Sequence, residues 1–191
     1  MENQKSVKSE KNKYKLAYSI KECMRTTPVE NITVKQIVEN CSLTRQTFYR
    51  NFLDKYDLIN WYFDKLLLKS FEHMGHGKTV YDALVKKFIY IQEEQSFFAA
   101  AFRYDSQNSL RQHDFQLILD FYENLIHKKT GKVLEKEMHF LLEMYCQSSI
   151  YMTVKWVLGE IDCSAEKLAQ ILVDGMPGKL EKLFTELGIL N

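Results

Sequence analysis

The chain has 191 residues, of which 46% are hydrophobic and 13% aromatic, and its formal net charge is +1. That length and apolar content exclude a disordered chain and suit one globular domain, or a small module joined to a larger one. No apolar run approaches the roughly 18 residues of a membrane span, and the start MENQKSVKSEKNK is too polar for a secretory signal, so a cytoplasmic protein without a membrane partner is expected.

The charge is unevenly placed. Residues 1–50 carry ten Lys/Arg against five Asp/Glu, a net of +5, whereas residues 51–191 carry sixteen against twenty, a net of −4. The first quarter is therefore where a polyanion is attracted. The cysteines Cys23, Cys41, Cys146 and Cys163 form no Cys-x-x-Cys pair, which leaves buried, reduced thiols as the expectation, with neither a disulfide framework nor a zinc knuckle.

Pro28 and Pro177 are the only prolines, and no stretch holds the period-2 alternation of a half-buried strand, so an all-α fold is expected. Residues 6–26 place Leu16, Ile20, Cys23 and Met24 on one helical face, and TTPVEN stops that helix. Thr33 opens a second helix, with Gln36 completing a capping box. After the turn NCSL, Thr44 caps a third helix running through Phe52, and Asp54 caps a fourth reaching His73. GHGK at 75–78 is the expected boundary. Beyond it helices are predicted near 79–94, 96–104, 108–128, 133–159 and 164–187, the last broken around Gly175, Pro177 and Gly178.

The stretch SLTRQTFYRNF, residues 42–52, crowds hydrogen-bonding side chains onto the third helix. Two short helices joined by a tight turn, the second beginning with polar residues, describe a helix-turn-helix, in which the second helix enters the major groove. Thr44, Arg45, Gln46 and Thr47 stand at its base-reading end, Phe48 and Phe52 anchor it to the core, and Tyr49, Arg50 and Lys55 are placed to meet phosphates. The lysine-rich start, Lys5 to Lys15, is either a solubilising tail or an arm that touches DNA.

ITVKQIVENCSLTRQTFYRNFLDKYDLI resembles the amino-terminal domain of the TetR family of bacterial transcriptional regulators, through Thr47, Phe48, Tyr49, Phe52, Lys55, Asp57 and Leu58. Cys41 and Ser42 stand where that family usually has a small residue and glycine, and Gln46 where a small residue is common. The resemblance implies a regulator that binds double-stranded operator DNA through Thr33, Val34, Thr44, Arg45, Gln46, Thr47, Tyr49, Arg50 and Lys55. The segments QSFFAAAFRYDSQNSLRQHDF and MYCQSSIYMTVKWVLGEIDCSAEKLAQIL are similar to the carboxyl-terminal domain of a subgroup that includes activators of dihydroxyacetone-kinase operons. That likeness implies a homodimer and control by a small-molecule effector or a protein partner. The expected organisation is a DNA-binding domain at 1–53, a linking helix at 54–77, and a regulatory and dimerisation domain at 78–191.

Met138, Leu142, Tyr145, Ser149, Met152 and Trp156 recur at spacings of four and three, the pattern of either an intrachain core or a dimer seam. Phe102, Arg103, Arg111 and His113 are candidate ligand-pocket residues, with a core edge bearing snorkelling charges as the alternative. His73 and His76 lack the further ligands that a metal site requires, and no motif of a nucleophile elbow or phosphate loop occurs. Neither a cofactor nor a metal is expected, and the rival readings are a transcriptional co-activator acting with a protein partner and, in a different class, a helical small-molecule binding protein or enzyme.

Overall fold

A computed structural model describes residues 2–71, 79–103 and 110–190; the GHGK boundary, His73 and His76 lie outside the described residues. Ten α-helices and no strand occur among them. They are α1 (Glu2–Met24), α2 (Val34–Asn40), α3 (Arg45–Tyr49), α4 (Lys55–Phe71), α5 (Val80–Glu93), α6 (Gln95–Arg103), α7 (Leu110–Thr130), α8 (Lys136–Val157), α9 (Ala165–Asp174) and α10 (Gly178–Glu186). A single 3-10 turn, Val29–Asn31, follows Pro28.

Several helix starts rest on side-chain caps. Thr33 accepts from Gln36 N at 3.2 Å while Gln36 Oε1 accepts from Thr33 N at 2.8 Å, the expected capping box. Asp54 Oδ1 accepts from the backbone N–H groups of Tyr56 and Asp57 at 2.8 and 2.9 Å, and Asp57 Oδ2 takes Leu53 N at 2.9 Å, which opens α4. Thr79 and Asp82 form a further capping box at α5. At the other end, Gly159 ends α8 with φ +78°, a conformation open to glycine without steric cost. Gly175 and Pro177 separate α9 from α10 where a break was predicted.

The chain forms two compact units, one of Met1–Lys65 with Ser96–Leu110 and one of Leu66–Gln95 with Arg111–Asn191. In the first, apolar side chains of α1, α2 and α3 meet in one core with Leu16, Ile20, Ile37 and Phe48 fully buried. An aromatic chain extends it: Phe48 lies 6.0 Å from Phe52, Phe52 5.6 Å from Trp61, and Trp61 5.1 Å from Tyr14. The α6 phenylalanines belong to this unit, with Phe97 edge-on to Tyr62 at 5.1 Å and Phe98 to Phe63 at 5.6 Å.

In the second unit α5 packs along α9, and α8 packs against α10. Phe88 meets Trp156 at 5.4 Å, Tyr122 meets Phe184 at 5.4 Å, and Val80 N donates to Ile189 O at 2.7 Å. The four-and-three stripe of α8 resolves as intrachain core. Leu142, Tyr145, Ser149 and Trp156 are buried, and Met138 and Met152 are half-buried. The outward face of α8 carries Phe140, Met144, Ser148 and Tyr151 instead. The cysteines are free thiols, but only Cys146 is buried, and burial pushes its thiol up to about 12, which leaves it unreactive. Cys23, Cys41 and Cys163 are half-buried, less than expected, because two of them end helices.

Candidate nucleic-acid interface

α3 is short because side chains cap it at both ends, Thr44 at the start and Asn51 at the close. Thr44 Oγ1 accepts from Thr47 N at 3.1 Å and opens the helix. Asn51 Nδ2 donates to Thr47 O at 2.7 Å, and the backbone N–H groups of Asn51 and Phe52 both bond Phe48 O, so α3 closes at Tyr49 and not at Phe52 as predicted. Only a few residues separate that closure from the Asp54 cap of α4.

This geometry sorts the expected DNA-contacting residues into two groups. Phe48 faces inward, fully buried, while Arg45, Gln46, Tyr49 and Arg50 are exposed on α3. Among the described residues neither Arg45 nor Arg50 makes an ion pair or a side-chain hydrogen bond. Tyr49 is 60% exposed and turns its ring edge-on to Phe48 at 5.4 Å. These four side chains are available to a partner.

The others are engaged by the fold. Thr44 is occupied by its cap and lies 3.0 Å from the Thr47 hydroxyl, and Thr33 is occupied by its capping box. Val34 is half-buried at the start of α2. Lys55 is the most firmly engaged of them. Its Nζ donates to Glu30 O at 2.7 Å and Ile32 O at 2.9 Å, tying the start of α4 to the 3-10 turn before α2. Burial lowers the Lys55 pKa, opposed by the charges of Glu30 and Asp54. Two of the three N–H groups of that ammonium are spent on these carbonyls. Periodicity could not reveal this contact, because carbonyls leave no mark in a sequence.

The ligand-pocket candidates divide between the units. Phe102 is core in the first unit, 6.2 Å from Phe63, and Arg103 is exposed beside it. In the second unit Arg111 lines a cleft of about 190 Å³ with Tyr151, Lys155 and Glu160, and His113 is half-buried. A larger cleft of about 380 Å³, which the sequence did not indicate, is lined by Ile91, Gln92, Gln95, Trp156, Ile161 and Asp162. Trp156 Nε1 donates across its edge to Cys163 O at 2.8 Å. Among the described residues no group of three His, Cys, Asp or Glu could hold a metal, and no helix is long and apolar enough to cross a membrane.

An all-helical fold with a capped helix-turn-helix and a second helical unit defines the class of helix-turn-helix transcriptional regulators. Residues 78–178 match the family model described as "Transcriptional regulator C-terminal region", which is a TetR-type domain, and the chain belongs to the TetR family of transcriptional regulators. The family consists of regulators and not enzymes. The fold is similar to that of the dihydroxyacetone kinase operon activator DhaS, with a TM-score of 0.62 at 19% identity over 94% of this chain and 97% of that one. It is also similar to a TetR-family transcriptional regulator from Syntrophomonas wolfei, with a TM-score of 0.60 at 15% identity over 94% and 96%. No curated protein matches the chain in sequence.

Proposed function

We propose that this regulator acts in the cytoplasm as a homodimer that binds a specific operator, with α3 as its recognition helix. Residues 1–53 serve DNA binding, 54–77 link, and 78–191 dimerise and sense. The supporting observation is the two-sidedness of α3: Arg45, Gln46, Tyr49 and Arg50 are exposed on a helix whose Phe48 is locked into an aromatic core. A rigid backing with unpaired cations in front suits the major groove, where an arginine fork meets guanine and a glutamine amide meets adenine.

The outward face of α8 is the proposed dimer seam, since Phe140 is 59%, Met144 51% and Tyr151 61% exposed in the single chain. Ser148 between them is small enough for a second helix to approach. Control is exerted by a small-molecule effector or a protein partner on the larger unit. The 380 Å³ cleft favours the small molecule, being of a volume that ligand sites commonly have. A ligand that fits one conformation better would shift α4 and change the separation of the two recognition helices, so that they no longer fit successive grooves.

The experiment is selection of bound duplexes from a random library by the purified full chain. A palindromic consensus with salt-sensitive binding is expected. Recovery of unenriched library, with binding indifferent to salt, overturns the reading.

A further inference from the structure

We propose that Lys8, Lys11 and Lys15 form a stripe on α1 that contacts DNA phosphates beside the recognition helix. The proposal rests on the DNA-binding reading above and extends the footprint to residues that the helix-turn-helix does not include.

The fold accounts for one of the four lysines between residues 8 and 15. Lys13 lies over the rings of Phe52 and Trp61, 5.5 Å from each centroid. The other three are exposed, and among the described residues none of them makes an ion pair. Glu10, the carboxylate that could neutralise them, is engaged by Lys65 at 3.0 Å. Spacings of three and four place Lys8, Lys11 and Lys15 within about 60° of one another around the helix, as one track of charge.

Contacts at both ends show where that track runs. Lys15 stands one turn before Ser19, whose hydroxyl donates to Ile37 O at 2.6 Å and lies 3.2 Å from Asn40 Nδ2, so α1 packs along α2 at the Lys15 end of the track. At the other end Ser9, the neighbour of Lys8, donates to Asn51 Oδ1 at 2.7 Å, and Asn51 donates in turn to Thr47 O at 2.7 Å. This relay fastens α1 to the last turn of α3. The helix that carries the three lysines is thus fixed against α2 and the end of α3. A duplex seated on α3 presents its flanking phosphates to those lysines, and no folding cost opposes the contact.

The test compares wild-type chain with the triple variant Lys8→Gln/Lys11→Gln/Lys15→Gln by fluorescence anisotropy, on a selected operator and a random-sequence duplex, over a series of salt concentrations. Each lysine that meets a phosphate adds about 0.9 to the slope of log K against log salt, so the slope should fall by about 2 to 3 per half-site with base preference unchanged. Lys11→Glu alone should lower affinity for both duplexes several-fold, and circular dichroism of both variants should match wild type. If the variant keeps the wild-type slope while both proteins bind DNA, the stripe is no DNA contact and the recognition-helix reading stands. If wild type binds neither duplex, both readings fall. Loss of binding to phosphatidylserine vesicles in the variant, with its DNA slope intact, would assign the stripe to a membrane surface and overturn the proposal.

Discussion

Ser42 carries a local backbone cost in the helix-turn-helix. Its φ of +55° lies in the left-handed region, where a Cβ crowds the following carbonyl, and this is where the family usually has glycine. Ser42→Gly should therefore raise unfolding stability by about 0.5 to 1 kcal/mol, the relief of strain outweighing the added freedom of the unfolded chain. Urea denaturation reads this as a higher midpoint at unchanged slope. A lower midpoint would mean that the serine hydroxyl compensates the strain. Arg45 and Lys55, both expected to touch DNA, should separate by readout. Arg45 is free of the fold, so Arg45→Ala should cost about 1 to 3 kcal/mol of operator affinity and relax preference at one base pair. Equal losses on operator and scrambled duplexes would instead make Arg45 a backbone contact. Lys55 holds two carbonyls, so Lys55→Ala should also lower folding stability by about 1 kcal/mol, which Arg45→Ala should not do. Identical melting of the two variants would return Lys55 to a purely DNA-directed role.

At the scale of elements, caps were legible and partners were not. Thr33 with Gln36, Thr44 and Asp54 start helices as their side-chain chemistry dictates, because a cap is satisfied within one turn of chain. The length of α3 was misread, since Asn51 ends it through a contact that hydrophobic spacing does not encode. The stripe on α8 shows the same limit. Spacings of four and three select a buried face, yet an intrachain core and a dimer seam have the same period. Burial places Ser149 inside and Met144 outside, so a charge at Met144 probes association and a charge at Ser149 probes the core. Met144→Glu should raise the dimer dissociation constant at least about tenfold while the monomer melts normally, because the charge is desolvated only on association. Ser149→Glu should instead lower thermal stability of the chain itself. Sedimentation equilibrium beside thermal melting separates the two, and an unaltered dimer for Met144→Glu would move the seam off α8.

For the whole molecule, helix content and the break near Pro177 followed from composition and punctuation, while the grouping of helices did not. The run FFAAAF in α6 announces burial without naming what it is buried against, and its phenylalanines in fact pack with Tyr62 and Phe63 in the first unit. The pairing of Lys87 with Asp114 was equally invisible, because each reads as an ordinary charge on a helix with polar positions. Their side chains are 4% and 1% exposed and 3.6 Å apart, joining α5 to α7 inside the second unit. Two opposite charges removed from water gain little net stability as a pair, but either one left alone is costly. Lys87→Met should therefore destabilise the chain by about 3 to 5 kcal/mol, whereas Lys87→Met with Asp114→Leu should recover most of that loss. Urea denaturation of the wild type, both single variants and the double variant gives the coupling directly. A double variant no more stable than Lys87→Met would show that the losses come from side-chain packing, and that the pair does not specify how α5 meets α7.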